Sequence, residues 1–118
     1  MKPALLKKLR SRDLWCWHCG QEEDLVPHHR KNRGMGGAKS NASLLNDPRN
    51  IILVCARYNG LMESSSSTAR EAREKRHKIR SVYELDEAVY DASTGVYYIL
   101  TEKGTKEIAT NQGKPLLR

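Results

Sequence analysis

Two adjacent histidines, His28 and His29, are the side chains of this 118-residue chain best suited to acid–base and metal chemistry near neutral pH. Imidazole titrates near 6.5, and its neutral nitrogens bind metal ions. Asn50, Asn59 and Glu63 follow in order. Neighbouring strand residues point to opposite faces. One histidine of a strand Leu25–His29 can therefore face a metal ion while the other faces an adjacent pocket. Asn59 and Glu63, four residues apart, share one face of a helix. One imidazole nitrogen and two oxygens suit a divalent ion such as Mg²⁺, Mn²⁺ or Zn²⁺, with water in the open positions. A second set is Cys16 and Cys19, spaced as CxxC, with Cys55. Three cysteines leave a disulfide framework unsupported. They are candidates for a structural Zn²⁺, with His18, His77 or water as fourth ligand, or else small buried hydrophobes.

Positioning these groups needs a short strand over Leu25–His29, with Pro27 marking an edge, and a second over Asn50–Cys55, apolar and β-branched. A helix is expected from Asn59, a break or cap at Ser64–Ser67, and a charged helix over Thr68–Ile79 with Glu71 four residues before Lys75. Ala4–Arg12 reads as a basic helix with Leu5, Leu6 and Leu9 on one side. Cys16–Gly20 reads as a tight turn. Lys31–Asp47, with Gly34, Gly36 and Gly37, reads as a long loop, which in a small domain is functional or disordered. The stretches EAVYDA and VYYIL around Ser93–Gly95 signal a β-hairpin, and Asn111 onward a loose tail.

The chain is the size of one domain. With 38% hydrophobic residues and no Phe, its apolar supply is thin, and a metal would help hold the fold. No apolar run is long enough for a membrane span. The basic N-terminus lacks a long apolar run and a small-residue cleavage site, so no signal peptide and a cytoplasmic location are expected. The formal net charge is +7, unevenly spread: residues 1–82 carry 17 basic and 8 acidic side chains, residues 83–118 carry 4 and 6. Clusters lie at Lys7–Arg12, at Arg30, Lys31 and Arg33, and between Arg70 and Arg80. A polyanion is the partner such charge suits, because each neutralised phosphate releases condensed counterions. A solvated basic surface is the alternative.

The text CWHCG…LVPHHRKNRGMGG…DPRNIILVCARYNGLME, spanning residues 16–63, resembles the HNH endonuclease family and many small phage members of it. The resemblance implies an α+β fold with a ββα-metal core. It would divide a single domain, 1–118, into a basic N-terminal helix (1–15), the core (16–64), a basic helix (65–82), and a β-hairpin and tail (83–118). It implies a DNA phosphodiester hydrolase giving 5′-phosphate and 3′-hydroxyl products, phage-encoded and acting in a bacterial cytoplasm. His28 would be a metal ligand and His29 the general base. Asn50 would match the central Asn, whose side chain or backbone orients the base. Asn59 stands at the last motif position, His in many members and Asn in others, and Glu63 where a second helical ligand often lies. The ion would be Mg²⁺ or Mn²⁺, or Zn²⁺ or Ni²⁺.

Each role is chemically sensible. Neutral His29 can take a proton from water near pH 7. Asn50 can fix its tautomer by accepting the other N–H. The ion can stabilise charge on the phosphoryl group and the leaving 3′ oxygen. Arg33 or Arg30 could hold the scissile phosphate bidentately, and Arg30, Lys31, Arg33, Arg70, Arg73 and Arg76 are candidate DNA contacts. Many HNH proteins bind structural zinc with two CxxC knuckles, and here the second reads CARY, with Tyr58 where a Cys would stand. Loss of that zinc would shift weight onto packing by Trp15, Trp17 and Tyr58. The departures at Tyr58 and Asn59 keep open a catalytically weak HNH-like module binding DNA or a host protein, and a zinc-knuckle transcription regulator.

Overall fold

Strand β2, Ile51–Cys55, is buried at all five positions, as its unbroken apolar run IILVC requires. The structure, a computed structural model, describes residues 2–31 and 44–109. In it β2 pairs antiparallel with β1, Leu25–His29, in the register Leu25↔Cys55 to His29↔Ile51. Alternation along β2 sends side chains to two separate cores. Ile51 and Leu53 pack with Leu9, Leu5 and Leu6 of α1, Pro3–Arg12. Ile52 and Val54 pack with Trp17, Tyr58, Met62, Ala72, Val89 and Leu100.

Helix α2, Ala56–Ser64, starts at once after β2, three residues earlier than the sequence suggested. The reason is Cys55, whose sulfur caps it by accepting the Tyr58 N–H. Helix α3 runs Ser66–Lys75 rather than Thr68–Ile79. Ser65 caps its start through the Thr68 N–H. Arg76 ends it in the left-handed region at φ 65°, where the His77 N–H turns back to the Ala72 carbonyl at 2.8 Å. That exit frees His77, Lys78 and Ile79 from the helix and buries all three.

Strands β3, Val89–Asp91, and β4, Val96–Leu100, form the expected hairpin, closed by Gly95 at φ +78°. A third strand, β5, Lys106–Ile108, pairs with β4 and was missed, because KEI is short and charged. The result is a compact α+β protein with three helices and two small antiparallel sheets among the described residues, none of the helices long and apolar enough to cross a membrane. Trp17 is core as expected, whereas Trp15 is only half-buried. Most of the long loop (32–43) and the tail beyond 109 lie outside the described residues.

Candidate metal and histidine sites

The turn after α1 gathers the thiols. The Gly20 N–H bonds the Cys16 carbonyl at 2.9 Å, and Gly20 takes φ +81° with Ser93 packed against it, 3.1 Å from where a Cβ would stand. A side chain there would meet both strain and a clash. The Sγ atoms of Cys16, Cys19 and Cys55 lie within 4.8 Å of one another, a cluster that could bind a metal ion such as zinc. Backbone N–H groups of His18 and Cys55 already aim at the Cys16 sulfur, at 3.3 and 3.1 Å. Burial pushes the Cys16 thiol up to about 11, so a bound ion would have to displace its proton. The exposed Cys19 moves the other way, lowered by the N–H of Gln21.

Neither Tyr58 nor His77 completes the set. The Tyr58 hydroxyl donates to His77 Nδ1 at 2.7 Å, and His77 Nε2 donates to the Tyr90 carbonyl at 2.7 Å. Both imidazole nitrogens are thus committed, which removes His77 as a fourth ligand. His18 stacks flat on Tyr58 at 4.0 Å with Nδ1 buried and without a hydrogen-bond partner, but it does not join the thiol group.

His28 and His29 face opposite ways, as strand geometry requires. His28 is 3% exposed and turns toward α2, where Nδ1 lies 3.1 Å from Asn59 Oδ1. Its Nε2 is 2.9 Å from the His77 carbonyl. That carbonyl can only accept, so Nε2 carries the hydrogen, and burial keeps the ring neutral by pushing it down to about 4. Nδ1 is therefore a bare lone pair opposite an amide oxygen. Two acceptors at that separation are satisfied by a cation, or by turning the amide so that its NH₂ donates. His29 is half-buried, and its Nε2 donates to the Leu45 carbonyl at 3.1 Å, leaving Nδ1 as the basic nitrogen. The Asn50 side chain makes no hydrogen bond to the His29 ring. Fully buried, it accepts the Lys31 N–H at 2.8 Å and donates to the Leu44 carbonyl at 3.2 Å, tying the end of β1 to the residues before β2. Glu63 is exposed, and His28, His29 and Glu63 do not gather as the cysteines do.

The arginines divide into two groups. Arg30 is fully buried, with Nε on the Arg76 carbonyl and Nη1 on the Arg49 carbonyl, so it is an internal strut and cannot reach a phosphate as placed. Arg76 pairs with Glu87 at 2.7 Å and caps α3. Arg70 and Arg73 form no ion pair among the described residues, and neither does Lys31. Arg33 lies outside the described residues. With this geometry in hand, no known protein family, curated protein or solved structure matches the chain.

Acid sensitivity follows from the two buried imidazoles. Burial lowers His77 to about 3 and His28 to about 4, both from 6.5. The unfolded chain thus binds protons that the folded one refuses, and stability falls as pH drops below 6.5 toward those values. Each histidine contributes up to about 1.4 kcal/mol per pH unit. Denaturant titrations should show a loss on the order of 3–4 kcal/mol between pH 7 and pH 5, with His77→Gln halving it. Equal stability at the two pH values would contradict the neutral, buried imidazoles.

Proposed function

We propose that the protein is a metal-dependent endonuclease of the HNH type that hydrolyses DNA phosphodiester bonds through a ββα-metal site built from β1, β2 and α2. The observation that carries this reading is the bare Nδ1 of buried His28 facing the Asn59 amide oxygen 3.1 Å away, with His29 beside it on the outer face of the same strand. The donor set fits a divalent cation. An imidazole nitrogen whose other N–H is fixed by a backbone carbonyl is the usual form of a metal-binding histidine. His28 and Asn59 would hold the ion, with exposed Glu63 one turn along α2 free to swing toward it. When bound, the ion would offset negative charge at phosphorus and at the departing oxygen.

The chain's own part is proton handling and positioning. His29 Nδ1 takes the proton of the attacking water, while Nε2–H, tied to Leu45, keeps the tautomer fixed. The water oxygen bonds to phosphorus as the bond to the 3′ oxygen breaks, and that oxygen takes a proton from solvent, leaving a 5′-phosphate and a 3′-hydroxyl. Asn50 serves the base indirectly, by fixing the backbone at Lys31 and Leu44 on either side of it.

Supercoiled plasmid incubated with Mg²⁺, Mn²⁺, Ni²⁺ or Zn²⁺ tests this directly. Nicking or linearisation is expected with at least one ion, abolished by chelator and lowered about 10²–10⁴-fold by His29→Ala. Cleavage that survives His29→Ala removes the base assignment. DNA binding without cleavage under every ion favours the weak or inactive module, a reading to which the exposed, ungathered Glu63 lends some weight.

A further inference from the structure

A groove of about 320 Å³ lies between α3 and the segment that follows it, lined by Arg70, Arg73, Glu74, Lys78, Arg80 and Glu84 with Ile79 at its floor. Four cations face two carboxylates there. Glu84 is already occupied, since its Oε2 accepts the N–H groups of Arg80 and Ser81 at 3.1 and 3.2 Å in a capping box. None of the four cations forms an ion pair among the described residues, although Arg12, Arg49 and Arg76 all do. Lys78 is the telling member. It is 8% exposed, and its ammonium forms no ion pair or hydrogen bond among the described residues. Most of the side chain is buried while its charge faces the groove, so an incoming anion meets a cation held in place by packing. Lys78 directly follows His77, whose carbonyl holds His28, so the groove adjoins the candidate site. Arg30, fully buried, keeps Nη2 without a partner, and its carbonyl takes the N–H of the groove residue Ile79 at 2.9 Å.

We infer that this groove seats successive backbone phosphates of a DNA duplex, with Lys78 as the central contact and Arg70, Arg73 and Arg80 flanking it. This rests on the nuclease reading for its choice of DNA, but it concerns a phosphate track that binds without any ion. Lys78 and Arg80, members of the third basic cluster but not among the candidate DNA contacts, become binding residues, whereas Arg30 and Arg76 are structural.

The test is fluorescence anisotropy of a labelled duplex titrated with the full chain in chelator, over a range of salt. Each phosphate contact contributes about −0.9 to the slope of log K against log salt. The Arg70→Ala/Arg73→Ala pair, on the accessible side of α3, is expected to weaken binding at least tenfold and to flatten the slope by about 2. Lys78→Met should flatten it by about 1 more, with its fold checked by thermal melting. Lys103→Ala, an exposed cation on the C-terminal sheet, should leave both unchanged. Wild-type affinity and slope in the Arg70→Ala/Arg73→Ala protein overturn the proposal. Inorganic phosphate that displaces the duplex far better than chloride at equal ionic strength shows a free-anion pocket and overturns it too. Groove-dependent binding without cleavage leaves the track standing and removes hydrolysis. Cleavage with groove-independent binding does the reverse.

Discussion

Asp13→Ala should cost about 3–5 kcal/mol and leave the protein largely unfolded at physiological temperature. Asp13 and Arg12 form a bidentate ion pair, Nε to Oδ1 and Nη2 to Oδ2, both at 2.7 Å, with both side chains essentially out of water. Each also holds backbone. Arg12 donates to the carbonyls of Pro48 and Ile51, and Asp13 accepts the Leu53 N–H at 3.1 Å. The pair therefore fastens the end of α1 to the inner edge of β2. Removing Asp13 leaves a guanidinium buried without its counter-charge, which costs more than the pair contributes when intact. A domain of this size has roughly 5–15 kcal/mol in total to lose. Urea unfolding by circular dichroism provides the check. The double change Arg12→Met/Asp13→Leu should be far milder than Asp13→Ala alone, because no charge is then stranded. A single variant as stable as the parent would show that the pair is not the fastening described.

The protein purified under reducing conditions should carry stoichiometric zinc, and removing that zinc should lower its stability by several kcal/mol. An ion bound at a hundredfold over its dissociation constant adds about 2.7 kcal/mol, and tighter sites add more. Cys16, with its thiol raised to about 11, stays protonated without an ion, so zinc uptake should release protons. Cys19→Ser and Cys55→Ser should abolish uptake, and cobalt substitution should give thiolate-to-metal charge-transfer absorption in the parent only. Because Tyr58 and His77 are bonded to each other and His18 lies outside the thiol cluster, the fourth position of a bound ion would fall to water or an added ligand. A chelator-treated protein with unchanged melting temperature and no metal by elemental analysis would leave the three thiols as packing.

Much of the frame was legible in the sequence because it was written in strong local signals. The run IILVC, the LVPHH strand, the leucines of α1 and the CxxC turn all came out where periodicity and spacing put them. The sites were legible in part. The His28–Asn59 juxtaposition and the three-thiol cluster were expected from spacing together with the family resemblance, and both are present. What was hidden depends on contacts distant in sequence. Nothing local distinguishes Arg30, a buried strut, from Arg70, a free surface cation. The side-chain partners of Asn50 were hidden for the same reason, since they are backbone atoms of Lys31 and Leu44 and not the ring of His29. His77 carries no motif at all, yet three elements meet on it. The one clue was an early exit from α3, and KRHK gives no glycine to announce it.

His77 joins Tyr58 of α2, the Tyr90 carbonyl of the C-terminal sheet and the ring of His28 on β1 through a single residue. The late-arriving sheet is thereby a keystone rather than an appendage. A ribosome that has already released residues 16–63 has not yet supplied the strand whose Tyr90 carbonyl holds His77 and, through it, the ring of His28. The setting of that imidazole is therefore completed only when the C-terminal sheet has joined the fold.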